Sequence, residues 1–72
     1  MNKSINLLDV VALVENLPEH KLYRGQVGTV VELLGSDVFE VEFSDDEGLT
    51  YAMLPLIADQ LMVLHYQLAE AV

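Results

Sequence analysis

Cysteine and tryptophan are absent from this 72-residue sequence, proline occurs twice, and only three residues are basic. Each scarcity closes a route. Without cysteine there is neither a disulfide staple nor a thiolate metal site. Without tryptophan, a groove for proline-rich peptides lacks its usual aromatic wall. Lys3, Lys21 and Arg24 stand against twelve acidic residues, for a formal charge of -9. A surface so poor in cations does not neutralise phosphates, which disfavours nucleic acid and anionic membranes as partners. No apolar run reaches the ~20 residues of a membrane span. The opening "MNKSINLLDVVALV" is interrupted by Asp9 and shows no small-residue cleavage site, so it does not read as a signal peptide. The expected location is cytoplasmic.

What is present is apolar: 53% of the chain, too much for intrinsic disorder despite the charge. The length allows one domain, residues 1–72, with 1–7 and 67–72 read as ragged ends. Such a chain buries roughly 60% of its unfolded surface and has a stability of only a few kcal/mol.

Five segments read as strands. Asp9 to Leu17 is valine-rich and bounded by Pro18. Gln26 to Leu34 follows, then a turn at Gly35-Ser36-Asp37, where glycine is expected to supply positive φ. Val38 to Phe43 alternates cleanly: Phe39, Val41 and Phe43 on one face, Glu40 and Glu42 on the other. "SDDEG", Ser44 to Gly48, reads as a hairpin loop. Leu49 to Leu54 is the fourth strand, expected to stop at Pro55 because proline cannot donate to a ladder. Ile57 to Leu61 is one helical turn, 3₁₀ in character. Leu61 to Tyr66 is the last strand, and "QLAEAV" leans to helix by composition but is too short to form one alone. Short strands at this spacing predict an all-β fold, a compact five-stranded antiparallel barrel.

"RGQVGTVVELL", Arg24 to Leu34, has the glycines of a phosphate loop but no lysine after the second, and a β-branched run where a helix would have to start. The glycines read as structural. Gly25 makes the turn that ends the preceding loop, and Gly28 sits where a bulge or a neighbouring backbone excludes a Cβ. Gly48 closes the hairpin loop.

Gly28-Thr29-Val30-Val31 entering a strand after a loop resembles small SH3-like barrels of the KOW type. The wider pattern resembles an uncharacterised bacterial family of small stand-alone proteins, a domain of unknown function. Asp9-Val10-Val11, Leu17-Pro18, Gly25, Glu40-Val41-Glu42-Phe43, Gly48 and Gln60-Leu61 carry that likeness over about Leu8 to His65. It implies a single SH3-like barrel domain and no assigned activity. Members are often encoded beside toxin-like or nuclease-like proteins, which implies an antitoxin or immunity role.

The carboxylates are the main candidate site. Glu40 and Glu42 share a strand face roughly 7 Å apart, and Asp45, Asp46 and Glu47 adjoin them in the loop. Together they would form a patch for a basic, toxin-like protein partner; the bland alternative is a solvated face that keeps the chain soluble. The loop lacks the spacing of a calcium site. His20 and His65 have no convergent ligands, and Ser4, Ser36 and Ser44 lie in no nucleophile elbow, so neither a metal nor a catalytic centre is expected. Tyr23, Tyr51 and Tyr66 are expected to close the barrel. Leu7, Leu8, Leu34, Leu54, Leu56, Met62, Leu64 and Leu68 exceed what a small barrel buries, which raises homo-oligomerisation or docking. The sequence therefore points to a non-catalytic interaction module without cofactor. A KOW-like RNA- or ribosome-associated module and an oligomer-forming accessory subunit are the alternatives.

Overall fold

The computed structural model describes residues 4–68 of the chain. Lys3 and residues 69–72, the latter part of the tail read as leaning to helix, lie outside the described residues. The five strands are β1 (Val10–Leu13), β2 (Val27–Leu33), β3 (Val38–Ser44), β4 (Thr50–Ile57) and β5 (Leu61–Val63). They form one antiparallel sheet in the order β4-β3-β2-β1-β5. A 3₁₀ turn, Ala58–Gln60, precedes β5. The all-β fold and this turn match the sequence expectation. The sheet wraps its core as an SH3-like barrel does, but β4 and β5 remain its two edges and do not pair.

The core follows from the period of two. Phe39, Val41 and Phe43 of β3 are buried, and they share one cluster with Val11 and Leu13 of β1, Val30 of β2, Leu54 and Leu56 of β4, and Leu61 of β5. No polar side chain is buried with them among the described residues. Ile5, ahead of the first strand and inside the stretch read as a ragged end, packs into the same cluster.

Three strand limits differ from the sequence reading by more than one residue, each for a physical reason. β1 ends at Leu13, not Leu17. Beyond it the chain bends, and Leu17 bridges Leu22 through hydrogen bonds of 2.8 and 3.1 Å. The second 3₁₀ turn, Pro18–His20, closes this excursion with Lys21 at φ 59. Both leucines are buried, so the pairing extends the core without lengthening the strand. β4 runs through Pro55 to Ile57, with Glu40 opposite Pro55 and the ladder continuing on both sides. Because β4 is an edge strand, the missing N–H falls on its open side and costs no ladder bond. β5 stops at Val63, three residues before Tyr66.

Two glycines act as expected at the turns: Gly25 has φ +94 and Gly48 φ +86. Gly35 does not; the turn it begins needs no positive φ there.

Candidate protein-interaction surface

Gly28 sets the spacing beneath the candidate surface. A Cβ on it would lie 2.8 Å from the Glu42 carbonyl oxygen, 2.8 Å from Val41 Cγ1 and 2.9 Å from Phe43 Cδ2. Its hydrogen therefore lets β2 and the core side of β3 close on each other, while the alternation of β3 puts its glutamates on the outer face. The close approach inferred from the sequence is present.

The outer face can be followed row by row, because residues opposite each other in a ladder share a face. Thr29, Glu42 and Met53 form one row across β2, β3 and β4. Glu32, Glu40 and Pro55 form the next, and Val38 and Ile57 the last. Glu40 and Glu42 are half-buried, whereas Glu32 is exposed. The Thr50 hydroxyl donates to Glu42 Oε2, which ties that carboxylate to the end of the β3–β4 hairpin.

Glu32 is the residue that sequence reasoning missed. Unbroken pairing would put Val31 opposite Glu40, but the register shifts between Val30 and Glu32. The irregularity advances Glu32 into that position, a common use of an extra strand residue. Two carboxylates then face each other across adjacent strands, an arrangement that disfavours the fold by itself. "VVEL" contains no signal for a bulge, so the register could not be read from sequence.

Asp45 has a different part. Its Oδ1 accepts from the backbone N–H groups of Glu47 at 2.9 Å and Leu49 at 3.0 Å. The side chain thus builds the hairpin turn, as aspartate often does. Asp46 and Glu47 are exposed in the loop. The two described basic residues, Lys21 and Arg24, belong to the connection between β1 and β2 rather than to this face.

Apolar side chains border the acidic rows. Met53 is 51% and Ile57 44% exposed, with Pro55 exposed between them. A second apolar surface lies by β5, where Val14 and Met62 line two shallow grooves with Ile5, Val63 and Arg24 among their neighbours. Of the leucines suspected of excess, Leu54 and Leu56 are core residues, while Leu7, Leu8, Leu34 and Leu68 are exposed, as is Met62. Tyr51 alone of the tyrosines meets the core: its ring lies 6.5 Å from that of Phe43, and its hydroxyl accepts from Gln26 Nε2 at 2.9 Å. Tyr23 and Tyr66 are exposed and do not close the barrel. Among the described residues no group of three metal-ligating side chains converges, and no helix is long and apolar enough to cross a membrane.

The model of a family described as a domain of unknown function, DUF4926, matches residues 7–63, from the turn before β1 to the end of β5. No curated protein and no solved structure matches the chain.

Proposed function

The chain belongs to the DUF4926 family, and on that premise we propose that it is a non-catalytic interaction module that captures a basic protein through the outer face of β2, β3 and β4. The observation that carries this reading is the gathering of Glu32, Glu40 and Glu42 on one face, with no basic residue in any of the three strands. Like charges held side by side across a ladder cost stability. An opposite charge from a partner relieves that repulsion and speeds encounter. Asp46 and Glu47 extend the field at the hairpin tip, and Asp45 holds the tip in shape.

The family resemblance and the acidic field together favour an antitoxin or immunity protein of the bacterial cytoplasm that masks a toxin-like partner. Affinity capture on the immobilised protein, eluted with rising salt, tests this reading. The expected eluate is dominated by a basic protein, released as salt screens the contact. Recovery of neutral or acidic proteins that resist salt would count against it. Self-association is the second reading, favoured by exposed Val14 and Met62 beside the β5 edge.

A further inference from the structure

The acidic rows do not stand alone on their face, and what lies next to them narrows the partner. Met53, Pro55 and Ile57 point to the same side of β4 and are all exposed, while Leu54 and Leu56 between them are buried. They form an apolar stripe at the sheet edge, spaced about 7 Å along the strand and one strand, ~4.8 Å, from the carboxylates of Glu40 and Glu42. A purely solvating surface has no need of three adjacent apolar positions beside three carboxylates.

We propose that this stripe and the adjoining glutamates are a docking site for a basic amphipathic helix of another protein. The inference rests on the reading above and specifies the partner's shape and chemistry. The alternatives fail on what borders the stripe. Strand addition is disfavoured along the Pro55–Ile57 half of the β4 edge, where the stripe lies: Pro55 has no N–H, and the Ile57 N–H already donates to Gln60 Oε1 at 3.0 Å. A second copy of the chain, with its net charge of -9, would set carboxylates against carboxylates. A partner on the face must therefore bring its own hydrogen-bonded backbone, which a helix does. It must bury an apolar side and carry cations along its flank. A helix with apolar residues at i, i+3, i+4 and i+7 presents such a side. Lysine or arginine beside it lays its aliphatic stem over Met53 or Ile57 and places its charge at Glu40 or Glu42.

The test uses two fluorescent probes on the intact protein: a leucine–lysine amphipathic helical peptide and an oligolysine of equal charge. Binding is read by anisotropy, and the helical probe is also mapped by amide chemical shifts on the unaltered chain. The site predicts tighter binding of the helical probe, with shifts centred on Glu40, Glu42, Met53 and Ile57. Met53→Ser with Ile57→Ser should weaken the helical probe by about tenfold and leave oligolysine unchanged. Glu40→Lys with Glu42→Lys should weaken both. Equal binding of the two probes, no binding of the helix, or shifts centred on Val14 and Met62 would overturn the helix proposal. If the serine pair has no effect but the lysine pair abolishes binding, the acidic face stands and the helix does not. If the lysine pair also has no effect, both readings fall. The shift map needs no variant, so a variant that folds poorly does not remove the test.

Discussion

At Gly28 a single methyl group would meet backbone and two core side chains at once. The Glu42 carbonyl belongs to the β2–β3 ladder and Phe43 is wholly buried, so neither can give way cheaply. Gly28→Ala is expected to cost about 1–3 kcal/mol, the usual price of overpacking, read as a lower urea midpoint. Gly35→Ala, with nothing within 4 Å of its Cβ position, should change stability by no more than about 0.5 kcal/mol. The glycine pair in "RGQVG" was legible as structural because no lysine and no helix start follow it. That Gly28 opposes β3 in particular was not, since one sequence does not say which strand lies opposite. Asp45 separates the same way: its carboxylate builds the turn through two backbone N–H groups. Asp45→Ala should lower stability by about 1 kcal/mol, while Asp45→Asn keeps an accepting oxygen and most of that stability. Partner capture by Asp45→Asn should equal that of the unaltered chain, because Asp45 serves the turn.

The alternation in "VFEVEF" is enough by itself to specify a half-buried strand, and β3 is that strand with its faces as expected. β4 is less legible, because proline is a strand breaker in the middle of a sheet and harmless at its edge. The difference lies in the neighbour on the far side, which is set by sheet order and not by local sequence. Pro55 protects that edge from pairing with other chains. Pro55→Thr restores an N–H to the open side, and it should keep the monomer's circular dichroism while raising self-association at high concentration, measured by light scattering. An unchanged mass across the concentration range would show that the edge is closed by other means. Glu32 makes the corresponding point for β2. Its place opposite Glu40 arises from a one-residue shift in register, and neutralising it with Glu32→Gln should raise stability by a few tenths of a kcal/mol. The same change should weaken capture of a basic partner, a trade between stability and binding common at functional surfaces.

For the molecule as a whole, the charge of -9 is visible from composition, and it excludes partners more firmly than it selects them. The sheet adds position. It gathers three carboxylates from two strands onto one face, sets an apolar stripe beside them, and leaves Lys21 and Arg24 in the connection between β1 and β2. Net charge acts at long range and is screened by salt, whereas a face acts through particular side chains. The two can therefore be separated with substitutions that change charge equally. The most direct test compares capture of the native partner by two double variants, Glu40→Lys with Glu42→Lys on the face, and Glu15→Lys with Glu19→Lys in the connection between β1 and β2. The first pair is expected to abolish capture and the second only to slow it modestly. Equal loss from both pairs would mean that bulk charge governs binding, and capture that survives the first pair would contradict the site itself.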